Sequence, residues 1–309
     1  MLNKFCYFVF YFFFDKKCAT IFRNNQLLVF IFRVQVFSPS KGWLYAMIID
    51  SHAHIFPNKI ATKASTSIGD FYSIPMKYDG TLETLLKCGE ACSIDKFVVQ
   101  SVATTENQVD SINEFITQTV ECYQDKLIGF ATLHPNSTCI AKQVDDAITM
   151  GLRGIKLHPD FQQFNIDSKE AFAIYEAIEG RLPLLVHTGD HRTQFSKPAK
   201  LATVLDRFPN LDVIAAHFGG WSEWENGALE LALKRVYVDT SSSMYALKPH
   251  QIRELIDIFG IDFVLFGSDY PMWNPQDELD MLSKVDLTDE EREKIFHKNI
   301  ESLLSKYEL

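Results

Sequence analysis

The chain has 309 residues, 47% of them hydrophobic and 23% charged, with a formal net charge of −10. That suits one large globular domain with ample core. Its acidity argues against nucleic acid or an anionic membrane surface as a partner, because both require a basic footprint.

The first 46 residues stand apart. They hold ten of the 25 phenylalanines, and six Lys/Arg against one acid, so residues 47–309 carry −15. Their apolar runs, FCYFVFYFFF (5–14) and LLVFIF (27–32), are too short to span a bilayer. DKKCAT is a poor cleavage region for a signal peptide. The text reads best as translated upstream DNA, with Met47 the true initiator; a membrane or export segment is the rival. Six cysteines show no disulfide or zinc-ribbon spacing, which fits a reduced, cytoplasmic setting.

From residue 47, short apolar runs alternate with amphipathic ones. Strands are expected at MIID (47–50), KFVVQSV (96–102), LIGFATL (127–133) and GIKL (154–157), then at PLLVH (183–187), DVIAAH (212–217), VYVDT (236–240) and FVLFGS (263–268). Helical patterns fill 81–92, 107–125, 138–150, 168–180, 198–208, 222–234, 248–259 and 276–284. In the second of these, Val109, Ile112, Ile116 and Tyr123 mark one face. A last helix opens at the capping-box pattern Thr288-Asp289-Glu290-Glu291. Eight β-then-α units in about 260 residues predict an α/β fold, a (β/α)8 TIM barrel with a C-terminal helix. Near-continuous apolar strands agree, since parallel strands are buried on both faces. The connection 55–80 is too long for a plain loop and is expected to form a lid or wall of the site.

Of nine histidines, six fall at the C-terminal ends of predicted strands: His52, His54, His134, His158, His187 and His217. In a barrel that end is where active sites lie. Asp269 follows the eighth strand in FGSDYP. His52 and His54, two apart on a strand, share a face, so both imidazoles can reach one metal ion.

IDSHAHIFP, GIKLHP, PLLVHTG, VIAAHFGG and VLFGSDYP together resemble the amidohydrolase superfamily, and within it the amidohydrolase-2 branch of metal-dependent TIM-barrel hydrolases with its aminocarboxymuconate-semialdehyde decarboxylase relatives. The resemblance runs from Met47 to the C-terminus. It implies that His52, His54, His187 and Asp269 ligate one divalent metal, zinc by preference. It further implies that His217 orients the nucleophilic water or binds a second metal, with Lys156 a candidate carbamate bridge in a binuclear site. The mechanism that follows is hydrolysis of a small-molecule amide, ester or lactone, with Asp269 as base. Related proteins are often dimers.

The alternative is decarboxylation of a small aromatic or unsaturated carboxylic acid. Relatives of that kind hold the carboxylate with an arginine; the 55–80 segment has none, although Arg192 could serve from another loop. Several residues have blander readings. Lys156 reads equally as a structural or substrate-binding lysine; His134 and His158, each in LHP, read equally as histidines that simply bond backbone, with a second metal or the substrate the other reading for His158. His191 is a candidate substrate contact, whereas His250 and His297 are expected at the surface. Trp221, Trp224 and Trp273 either wall the pocket or merely pack. FGG (218–220) suggests a tight turn near the site, and Asp190 with Arg192 either binds a polar substrate group or is solvated.

Overall fold

A computed structural model describes residues 18–23, 26–31 and 47–307. The chain divides into two units, Met1–Leu44 and Tyr45–Leu309. In the first, Cys18–Arg23 pairs with Gln26–Ile31 as an antiparallel hairpin. The rest of that segment, and with it the expectation about where translation starts, lies outside the described residues.

The second unit carries all eight expected strands: β1 (Ile49–His54), β2 (Lys96–Gln100), β3 in two sections (Leu127–Gly129 and Ala131–Thr132), β4 (Ile155–Leu157), β5 (Leu184–Val186), β6 (Val213–Ala215), β7 (Tyr237–Asp239) and β8 (Val264–Leu265). Every neighbouring pair is parallel. The break in β3 is bridged by Phe130, whose N–H bonds Val99 O at 3.0 Å before Ala131 N–H turns to Gly154 O at 2.8 Å. The first and last strands meet through Ser51 N–H to Phe266 O (2.8 Å), Asp269 N–H to His52 O (2.8 Å) and His54 N–H to Tyr270 O (2.7 Å). These bonds link the edge of the three-stranded sheet to that of the six-stranded one.

Side chains alternate across the barrel wall as the two-residue period requires. Val99, Ile155, Leu157, Leu184, Val186, Val213 and Val238 join the layer under the helices. Val98, Phe130, Leu185, Ile214, Tyr237 and Leu265 form the barrel interior. Lys156 lies between two outward residues and therefore points to the barrel axis. Ile300, Leu303 and Leu304 of the C-terminal helix α12 (Asn299–Ser305) join the interior cluster.

The other expected helices form as α2 (Leu82–Cys92), α3 (Val109–Cys122), α4 (Ile140–Thr149), α6 (Lys169–Ile178), α7 (Pro198–Arg207), α8 (Trp224–Leu231), α9 (Pro249–Phe259), α10 (Pro275–Leu282) and α11 (Asp289–Glu293), the last opened by the Thr288–Glu291 capping box. Two were not anticipated: α1 (Asn58–Tyr72) and the single turn α5 (Pro159–Gln162). The helix in α1 escapes a hydrophobic-period reading because it buries only Ala61 and Ser65. Two smaller expectations are corrected. Tyr123 leaves the α3 face, since the helix stops at Cys122 and the ring is exposed. His297 is buried, its Nδ1 on Glu301 at 2.7 Å. Cys88 and Cys92 on α2 are free thiols, half-buried. Among the described residues no helix is long and apolar enough to cross a membrane.

Candidate metal centre and active-site cavity

The C-terminal ends of the strands open into a cavity of about 720 Å3. His52, His54, Lys156, His158, His187, His217 and Asp269, expected from five separate stretches of sequence, all line it. The long connection supplies a wall, as expected, in the form of α1.

The centre is built around His52. Its Nδ1 lies 2.8 Å from Asp239 Oδ2 and 3.0 Å from Ser241 Oγ, and its Nε2 lies 3.2 Å from His54 Nε2. Asp269 Oδ1 sits 3.5 Å from both Nε2 atoms. A carboxylate on Nδ1 fixes the tautomer with the proton there, leaving the Nε2 electron pair for a metal ion. Close backbone approach makes this seat: a side chain on Gly267 would bring its Cβ within 3.0 Å of His52 Cβ. Two groups of residues bring ligand atoms within 4.8 Å of one another, His52–His54–Asp269 and the more buried His52–His217–Asp239.

His187 belongs to neither group. Its Nδ1 faces His217 Nε2 at 3.0 Å, and His217 Nδ1 faces the Ser241 carbonyl at 3.1 Å. A carbonyl only accepts, so His217 carries its proton on Nδ1 and its Nε2 accepts from His187 Nδ1–H. This relay leaves an electron pair on His187 Nε2, a buried atom without a hydrogen-bond partner, as is Asp160 Oδ2 3.7 Å away. Buried orphan atoms of this kind call for an ion or water. The donor set therefore fits a divalent metal: two imidazoles whose tautomers present Nε2, a third within reach of His52, and a carboxylate.

Desolvation sets the charges. Burial drives His52, His54, His158 and His217 well below the ordinary histidine range, and His187 down to about 4, so all five imidazoles are neutral, the form that a metal ligand requires. Burial likewise raises Asp269 to about 7, against the opposing Ser242 hydrogen bond and the Lys156 charge. Lys156, buried on β4 with its Nζ 3.0 Å from His52 Nε2, is lowered to about 8 by desolvation. It makes no ion pair with a carboxylate among the described residues. Two of the site residues hold left-handed backbone angles, His217 at φ 62° and Asp269 at φ 59°.

The remaining candidates sort by position. His158 Nδ1 caps α5 by accepting from Phe161 N–H, and its Nε2 meets Tyr72 Oη of α1 at 2.8 Å, so it both bonds backbone and faces the cavity. His134 accepts from Asn136 N–H and is structural. His191 is exposed and bonded to Ser222. Arg192 does not reach the cavity lining. It grips buried Asp190 through Nε (2.9 Å) and Nη2 (2.7 Å), and its Nη1 donates to Phe71 O at 2.7 Å, at the C-terminal end of α1. The guanidinium also covers the rings of Phe71, Tyr72 and Trp221 at 4.8–5.3 Å. None of the three tryptophans lines the cavity; Trp221 backs Tyr72, and Trp224 and Trp273 donate to Ser243 and Ser242. The FGG turn is tight, with Gly219 at φ 67° and Gly220 abutting Gly189, where a Cβ would stand 2.6 Å from the Gly220 carbonyl carbon.

Sequence reasoning passed over Asp239, Asp160 and Tyr72. Asp239 ends the seventh strand in VYVDT, so the rule that singled out the histidines would have found it. Tyr72 gave no signal, because it depends on α1.

A family model described as Amidohydrolase matches residues 49–306. Among solved structures, a 5-carboxyvanillate decarboxylase from Novosphingobium aromaticivorans complexed with manganese and 4-hydroxy-3-methoxy-5-nitrobenzoic acid superposes with a TM-score of 0.68 at 16% identity, covering 84% of this chain and 96% of that one. A 2,6-dihydroxybenzoate decarboxylase complexed with 2,6-dihydroxybenzoate gives 0.66 at 14%, covering 84% and 99%. A probable 2-pyrone-4,6-dicarboxylic acid hydrolase from Acinetobacter baumannii with citric acid bound gives 0.62 at 16%, also covering 84% and 99%. At such identities the likeness carries the fold.

Proposed function

The chain belongs to the amidohydrolase family, and from that premise we propose that it is a metal-dependent carboxy-lyase acting on a small aromatic or unsaturated carboxylic acid. This reverses the preference for hydrolysis drawn from the sequence. The observation that carries it is Lys156, a buried amine 3.0 Å from His52 Nε2 beside the candidate metal centre, which feels the charges of Asp269 and Asp239 but makes no direct ion pair among the described residues. An anionic group on the substrate supplies the missing partner, and the arginine absent from residues 55–80 is then not required.

His52, His54, His187 and Asp269 would hold one divalent ion, manganese or zinc, which when bound supplies Lewis acidity toward substrate oxygens. Asp239 fixes His52 and the Ser241 carbonyl fixes His217, so the imidazoles are oriented before substrate arrives. Lys156 holds the substrate carboxylate, and Phe161 with Tyr72 flanks a planar ring. Asp269, which faces the cavity beside His52 and His54, delivers a proton to the carbon bearing the carboxylate. The carbon–carbon bond then breaks, its electron pair stays with the ring, carbon dioxide leaves, and Asp269 regains a proton from solvent.

Hydrolysis of a carboxylated lactone is the second reading. It uses the same Lys156 contact and has the pyrone hydrolase as its structural relative. The test is incubation of the manganese- and zinc-loaded full chain with a panel of hydroxybenzoates and carboxylated lactones in 18O-water. Carbon dioxide release without label in the organic product is expected. Label uptake without carbon dioxide assigns a hydrolase, and neither result from any panel member overturns the proposal.

A further inference from the structure

The cavity is larger and less polar than a single-ring acid requires. Away from the histidines it continues as an arm between two helices. On one side α1 presents Ile60, Ala64, Ile68 and Phe71, spaced along one helical face; on the other α3 presents Ile112 and Phe115. Ile112 and Phe115 pack against the core with part of their surface and line the cavity with the rest, whereas the α1 set lies outside the core. The buried residues of α1 are Ala61 and Ser65, those of α3 are Val109, Asn113 and Ile116, and Ile60 and Phe71 remain 44% and 37% exposed. Both helices thus give apolar side chains to the cavity that the metal-centre residues also line, with Lys59, Ser67 and Ser111 beside them.

We propose that this arm is a substrate subsite for an extended apolar substituent. The ligand has two parts, a carboxylated head at Lys156 and the histidines, and a hydrocarbon tail of several carbons laid between α1 and α3. The head rests on the reading given above; the tail rests on the two helix faces alone. Covering apolar surface with a methylene strengthens binding by about fourfold for each methylene fully buried.

The experiment is calorimetric titration of the metal-loaded full chain with 4-n-alkylbenzoates from methyl to hexyl. Affinity is expected to climb by about two- to fourfold per carbon over the first several carbons and then level off. In Ala64→Trp, which fills the arm from α1, and in Ile112→Asp, which makes its far wall polar, the hexyl-to-methyl affinity ratio is expected to collapse toward unity. Equal binding of methyl and hexyl compounds by the unaltered chain overturns the subsite, as does a gradient that persists undiminished in both variants. The unaltered series needs no variant to fold. If the gradient appears and no carboxylic acid releases carbon dioxide, the carboxy-lyase reading fails and the subsite stands; carbon dioxide release from short acids without a gradient has the opposite meaning.

Discussion

The floor of the cavity and its α1 wall are built in opposite ways. On the floor, His52, His217 and Asp50 are buried and each is held by named partners, as Asp50 is by Ser268 N–H (3.0 Å), Ser268 Oγ (2.5 Å) and His52 N–H (3.1 Å). The wall is a 15-residue helix with two small side chains in the core, tied down at its C-terminal end by the Arg192 guanidinium on Phe71 O and by Tyr72 Oη on His158. The difference teaches that the chemistry is preorganised while the walls that choose the substrate are weakly committed.

Four predictions test this contrast. The largest effect is expected on the floor: His52→Ala or Asp269→Ala abolishes both metal retention and turnover, checked by metal analysis and carbon dioxide release. Retained metal and full activity in either variant removes the site assignment. Asp239→Asn keeps the shape but loses the charge that sets the His52 tautomer, so metal affinity falls by about 10- to 100-fold, read by competition with a chelating dye. On the wall, Arg192→Ala frees the end of α1 and leaves Asp190 unpaired. KM is expected to rise by about tenfold, with kcat changed less, and proteolysis to begin within 58–72; an unaltered KM and cleavage pattern breaks the comparison.

The smallest effect is on stability against pH. Burial raises the Asp50 carboxyl from 3.8 to about 7. Its contribution is fully present below its ordinary value and is lost as pH rises through about 7. The metal-free chain should therefore show a lower urea midpoint at pH 8 than at pH 6, and Asp50→Asn should narrow that gap.

How much was legible in the sequence follows the same division. Strands are apolar runs, and a histidine or aspartate that ends one must lie on the catalytic rim, so His52, His54, His187, His217 and Asp269 could be placed from spacing and order. Asp239 was equally legible and was overlooked. Helix α1 was not, because its apolar residues face a cavity and its buried ones are Ala61 and Ser65, which leaves no core-facing stripe to detect. Arg192 illustrates the same limit: sequence gave its charge, while its attachment to Asp190 and Phe71 O depends on where a loop folds. The surroundings of Lys156 were likewise invisible, since the His52 imidazole beside its amine lies 104 residues away in the chain.

The left-handed backbone at His217 and Asp269 has an evolutionary consequence. A residue with a side chain is disfavoured in that conformation by about 1 kcal/mol, a penalty glycine escapes. Glycine at 217 or 269 would relieve that penalty but would also delete the bonds of His217 to His187 and Ser241, or of Asp269 to Ser242, which are worth as much or more. The strained backbone is thus held by the same bonds that orient the site, and any programme of directed evolution on the chain must screen for turnover and endurance together.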